Sequence, residues 1–202
     1  MNPLHTVLLQ CFLAVLVRTR PVLDRSSEAE LSQMVQQSKT LVEKILRDLP
    51  VVHGATIHTV GLTFNSTSQP TNLQIMATSL GIPPAPVLKQ LSERFTLEQC
   101  VSRLSVGVQL HHDLLGDLEG KVTGLTDLKA DLRDLLSQIN KMQEQGRLGS
   151  VERYETTDLA SRINGDYQLQ VATHLTLIQL RSFCHDMVRS LRNLATTYRP
   201  GA

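Results

Sequence analysis

Asp127, Asp131, Asp134 and Gln138 recur at steps of four, three and four. That spacing sets three carboxylates and an amide in one row along an α-helix. Such a row has one useful chemistry. Ionised carboxylates accept charge-assisted hydrogen bonds from Arg or Lys of a partner and steer its approach. The plain alternative is a solvated polar face. The other reactive side chains do not converge. His111 and His112 are adjacent and so point to different sides of a helix, His53 and His58 fall in a stretch that reads as loop, and His174 and His185 read as core-edge or surface residues. None has zinc-ligand spacing. There is no phosphate-binding glycine loop, no nucleophile elbow and no pair of facing Glu-x-x-His motifs. These observations predict a chain that is not an enzyme and has no metal or cofactor.

The acid row needs a helix to hold it. From Gly124 to Gln145 the apolar positions Leu125, Leu128, Leu132, Leu135, Ile139 and Met142 form a single stripe opposite the acids. Three further helices have faces of the same kind. A first, about 28–49, carries Leu31, Val35, Leu41, Val42, Ile45 and Leu49, with Pro50 as its stop. A second, about 96–119, opens on Thr96-Leu97-Glu98-Gln99, a capping-box pattern. A last spans about 158–197, or starts only after Gly165, with Leu177, Leu180, Phe183, Cys184, Met187 and Leu191 inside. About forty residues separate the first two helices, a length that a crossover along a bundle explains; Thr71 to Leu80 reads as a short helix within it. The Gly120–Gly124 turn is short and makes its two helices antiparallel neighbours. The link after Gly146 and Gly149 reaches about 35 Å, enough to run along a helix of about 30 Å. Long, short, long is the loop order of an all-α, long-chain four-helix bundle with up-up-down-down topology and two long crossover connections.

The chain has 202 residues and a net charge of +1, and aromatics make up only 3% of it. No basic patch favours nucleic acid. Thr6 to Val17 is an apolar run of signal-peptide length, too short to span a bilayer. We read residues 1–20 as a secretory signal and 21–202 as one helical domain, secreted and without membrane insertion. Removing Arg18 and Arg20 takes the net charge from +1 to −1. Cys11 lies in the signal. Cys100 and Cys184 then permit one disulfide or two free thiols, and an offset between antiparallel helices works against a bridge. Asn65-Ser66-Thr67 is a glycosylation sequon in a secreted chain. A secreted amphipathic-helix lipid-binding protein is the alternative from another class. The Pro-rich connections and the lack of Lys/Arg-rich polar faces weigh against it.

Ser79-Leu-Gly-Ile-Pro-Pro-Ala-Pro86, followed without a gap by Cys100, Gly107, Leu114, Leu115, Glu119 and Gly120, resembles the interleukin-6/granulocyte colony-stimulating factor family of long-chain helical cytokines. Leu180-Arg-Ser-Phe183 and Arg189-Ser-Leu-Arg-Asn-Leu-Ala195 resemble its last helix. The resemblance covers residues 28 to 197 and lies in the order and spacing of these pieces. It implies a secreted haematopoietic growth factor, a monomer until it binds, that clusters a class I cytokine receptor and drives granulocyte proliferation and differentiation. The implied partner is the granulocyte colony-stimulating factor receptor; an interleukin-6-like inflammatory cytokine is the near alternative. The family's acids of its third helix fall on Asp131 and Asp134, with Asp127 and Gln138 as rim. Its first-helix contacts fall on Gln33, Gln36 and Thr40, where the family has charges. A second receptor contact maps onto Asn72, Ile75 and Tyr167. Reversing Asp131 and Asp134 to Lys is expected to spare folding and remove binding. The family pairs Cys100 with a cysteine ten residues earlier, where Gln90 stands here, and has an aromatic at His111. These departures suggest a diverged member from a non-mammalian vertebrate.

Overall fold

A computed structural model describes residues 25–64, 71–92, 95–149 and 158–197. The expected signal (1–20) and the Asn65 sequon lie outside them. Among the described residues six helices form: α1 (Arg25–Thr56), α2 (Thr71–Ser79), α3 (Leu97–Glu119), α4 (Thr126–Gln145), α5 (Leu159–Arg162) and α6 (Asp166–Thr197). Among the described residues there is no strand, only an isolated bridge between Ser92 and Phe95.

The four long helices are α1, α3, α4 and α6. α1 packs on α4 and α6, and so does α3, while α1 and α3 are diagonal, as are α4 and α6. Cross-helix pairs give the directions. Glu30 meets Gln145 and Lys44 meets Asp131, so α1 and α4 are antiparallel. His53 meets His174 and Glu43 meets Arg192, so α1 and α6 are too. Ser105–Asn140 and Glu119–Lys129 orient α3 against α4. Cys100–Ser190 and His111–Phe183 orient α3 against α6. The diagonal pairs are therefore parallel, and the chain is an up-up-down-down four-helix bundle.

The core is the set of stripes read from sequence. Leu128, Leu132, Leu135, Ile139 and Met142 of α4 are buried, as are Cys100, Val101, Leu104, Val108, His111, Leu115 and Leu118 of α3. α3 starts as its capping box directs: the Thr96 hydroxyl accepts from the Gln99 N–H at 3.3 Å, and the Gln99 side chain accepts from the Thr96 N–H at 3.2 Å.

One helix end differs from expectation. Pro50 does not stop the first helix, which runs on to Thr56. The missing N–H and the ring's clash with the preceding turn cost about 3 kcal/mol. Burial of His53, Thr56 and Ile57 against the bundle offsets it. The last helix takes the second of its two expected starts, after Gly165, with the short α5 before it. Ile163 is extended, and Gly165 sits at φ +103°, a conformation open to glycine, before α6 begins. α4 ends at Gln145, but the left-handed residue is Arg147 (φ +49°) and not Gly146. Leu148 N–H then returns to the Gln143 carbonyl, which leaves Leu148 against the core.

Both crossovers are pinned to the bundle within their described residues. Gln170 holds the His58 N–H, Arg181 the Phe64 carbonyl, Gln179 the Pro83 carbonyl and Arg103 the Val87 carbonyl. On the other side Glu98 accepts from Gly149 N–H and Asp117 from Leu159 N–H.

Candidate interaction face

The acid row borders the seam between α4 and α1. Its four members are not equivalent. Asp127 and Asp134 are exposed and Gln138 is half-buried. The Asp131 side chain keeps only 16% of its surface, because Lys44 of α1 lies on it. Lys44 also reaches Asp48 at 3.2 Å. Its ammonium is held charged, its pKa raised first by the bond to Asp131 and then by Asp48. Asp134 pairs with the exposed Arg133 at 3.4 Å.

Lys44, Asp48, Val51, Asp127, Leu128 and Asp131 line a groove of about 440 Å³ between the two helices. It holds three carboxylates and one ammonium, so it is net acidic, and Val51, 73% exposed, gives it an apolar lip. A cationic side chain with an aliphatic stem fits that lining.

Gln33, Gln36 and Thr40 are exposed on α1. The Glu30–Gln145 and Lys44–Asp131 pairs are equally spaced along the two helices and fix the register. By that register Gln36 and Thr40 stand level with the α4 turn that separates Asp134 from Gln138. The Thr40 hydroxyl is spent on the Gln36 carbonyl at 3.0 Å. The charged α1 residues at the seam, Lys44 and Asp48, were not singled out from sequence. Their i, i+4 spacing was the available signal, but nothing local says that Lys44 reaches Asp131.

The second group is dispersed. Asn72 and Ile75 are exposed on α2, with Ile75 at 66%. α2 lies over α6 near Leu175–Ser182. Tyr167, 55% exposed, stands on the first turn of α6, about 12 Å along the helix from Leu175.

Histidine and cysteine placements refine the expectations. His53 is not in a loop; it is buried in the last turns of α1 and bonds His174 at 2.9 Å. His111 is fully buried, stacks on Phe183 and bonds the Gly107 carbonyl at 2.7 Å. Burial lowers its pKa to about 4, against the opposing bond from Gly107. Cys100 and Cys184 are both buried and free. Cys100 lies by Ser190, about 9 Å along α6 from Cys184. Burial raises both thiols, Cys100 to about 11. Among the described residues no group of three or more His, Cys, Asp or Glu side chains is placed to hold a metal, and no helix is long and apolar enough to cross a membrane.

No family model matches the chain. Human granulocyte colony-stimulating factor is 30% identical to it over 131 residues, which is 62% of this chain and 62% of the human protein. That similarity, on a bundle of this topology, supports a distant cytokine-like relationship.

Proposed function

We propose that the chain is a secreted helical cytokine whose α1–α4 face engages a class I cytokine receptor. One observation carries the reading. Asp127 and Asp131 of α4 line a net acidic groove, with Asp134 exposed one turn further along, on a four-helix bundle whose sequence resembles granulocyte colony-stimulating factor. The proposed mechanism has no covalent step. Asp127 and Asp134 draw in cationic side chains of the receptor, and the groove around Asp131 takes one of them, so that receptor chains are brought together. Gln33, Gln36 and Thr40 would complete the face from α1. Asn72, Ile75 and Tyr167 would serve a second receptor chain. Granulocyte growth and differentiation is the proposed outcome, and the granulocyte colony-stimulating factor receptor the proposed partner. Glycosylation at Asn65 belongs to the same proposal.

Binding to the immobilised ectodomain of that receptor tests it. Reversing Asp131 together with Asp134 is a poor first variant, because a lysine at 131 would face the Lys44 ammonium. Asp127→Lys with Asp134→Lys changes exposed charges only. It is expected to slow association tenfold or more, by about an order of magnitude per 1.4 kcal/mol of lost steering, with helical content unchanged. Unchanged association refutes the face. Absence of binding by the unaltered chain refutes the receptor, and binding to an interleukin-6-type receptor instead would select the near alternative.

A further inference from the structure

The end of α1 is fastened to α6 by a contact unlike the rest of the bundle. His53 Nε2 and His174 Nδ1 lie 2.9 Å apart, with both residues nearly fully buried. One of these nitrogens donates its hydrogen and the other accepts with its lone pair. Phe64, from the connection after α1, covers His53 with ring centroids 5.0 Å apart. Arg181 of α6 also stacks on Phe64, 4.5 Å from its centroid, and holds its carbonyl. One turn before His174, Gln170 grips both sides of the α1 end, accepting from His58 N–H at 2.7 Å and donating to Thr56 carbonyl at 3.0 Å. An open groove of about 430 Å³, lined by Phe64, Arg181 and His185 among others, brings water up to this cover.

The charges around the pair are all of one sign. The His53 imidazole acts on His174, and the Arg181 guanidinium acts on both. His185, exposed, is the other titratable group lining that groove. On α4, Asp127 and Asp131 lie in the opposite groove with Lys44 and Asp48, on the other flank of α1. No carboxylate among the described residues contributes to the field at either histidine. A first proton therefore creates a buried cation beside Arg181 without a counter-charge. A second makes both facing nitrogens donors and abolishes the bond.

We propose that the His53–His174 bond is an acid-released clasp that frees the end of α1 and the Phe64 strap from α6 while the rest of the bundle stays folded. Burial, and after it the neighbouring positive charges, hold His174 at about 4 in the closed form. The open form regains the ordinary value near 6.5. Opening is thus coupled to proton uptake between these limits. From about pH 7.4 to about pH 5 the open population rises about 25-fold through His174 alone.

Native-state amide hydrogen exchange on the full chain tests this. After correction for intrinsic rates, the Ile57 and His58 amides are expected to exchange about 25-fold faster at the lower pH. Their exchange should be insensitive to sub-denaturing urea, unlike that of Leu110 in α3. His174→Gln, which keeps a donor and an acceptor but does not titrate, should reduce the acceleration to a few-fold. No acceleration, the same acceleration in His174→Gln, or urea dependence equal to that of Leu110 overturns the proposal. Ring-nitrogen NMR of the unaltered chain stands independently of the variant. A His174 ring neutral down to about pH 5 supports the clasp, and its ordinary titration near 6.5 overturns it.

Discussion

Gly107→Ala sets two well-known effects against each other at one atom. Gly107 lies in the middle of α3, where alanine is the better helix former by about 1 kcal/mol. Propensity alone therefore predicts stabilisation. The packing predicts the reverse. A Cβ at this position would stand 2.6 Å from Cε1 and 2.7 Å from Cε2 of Phe183, and nearer still to Cζ. Carbon contacts are favourable only near 3.5–4.0 Å, so the ring has to retreat by about 1.5 Å. It has nowhere simple to go. Phe183 is 2% exposed, and its ring stacks on His111 at 5.4 Å. His111 is in turn anchored to the Gly107 carbonyl. Overpacking of this kind costs about 3 kcal/mol at the upper end of its usual range. Subtracting the propensity gain leaves a net loss of about 2 kcal/mol, or about 4–8 °C in Tm for a chain of this size. The assay is urea unfolding followed by circular dichroism, with the midpoint read at constant slope. Phe183→Leu completes a cycle. It leaves a cavity when alone, and the added methyl of Gly107→Ala should partly fill it, so the double variant should lose less than the two singles together. A stabilised Gly107→Ala, or strict additivity, would refute the close approach of α3 and α6.

Three more outcomes are expected. His111 and His174, both held near 4 in the fold, bind fewer protons there than in the unfolded chain, so stability is full above about pH 6.5 and falls as pH drops toward 4; at about pH 5 the two together remove about 4 kcal/mol, and a urea midpoint unchanged between pH 7.4 and pH 5 would contradict it. Gln170→Leu strips partners from the Thr56 carbonyl and the His58 N–H and should cost about 2 kcal/mol, measured by the same unfolding curve. Cys100 and Cys184 should react with a disulfide reagent at least about a hundredfold more slowly in the native chain than in urea, because burial disfavours both thiolates; rapid native labelling would show that one is open to solvent.

What was legible in the sequence was local and periodic. The α4 stripe, the Thr96–Gln99 box and the long-short-long loop order depend on residues within a turn or two of each other, and each reappears in the bundle. What stayed hidden depends on partners far along the chain. Pro50 reads as a stop because a helix end is judged from its own neighbours, whereas the turns beyond it are held by His174 and Gln170, more than a hundred residues away. The acid row was visible, but its division was not: Asp131 is engaged and Asp134 outward only because Lys44 comes from another helix. Gly107 was noticed as part of a resemblance, and its physical reason, the Phe183 ring, appears only when α3 and α6 are side by side.

The Gln170 side chain ends α1 from outside it, supplying the Thr56 carbonyl and the His58 N–H with partners that a helix terminus otherwise seeks nearby. The length of α1 is then a property of assembly. A peptide of α1 alone should fray from about Pro50 onward, and its last turn should become ordered only when α6 docks. During refolding, order in residues 51–56 would therefore report when α1 and α6 meet, a long-range event that brings together residues more than a hundred positions apart.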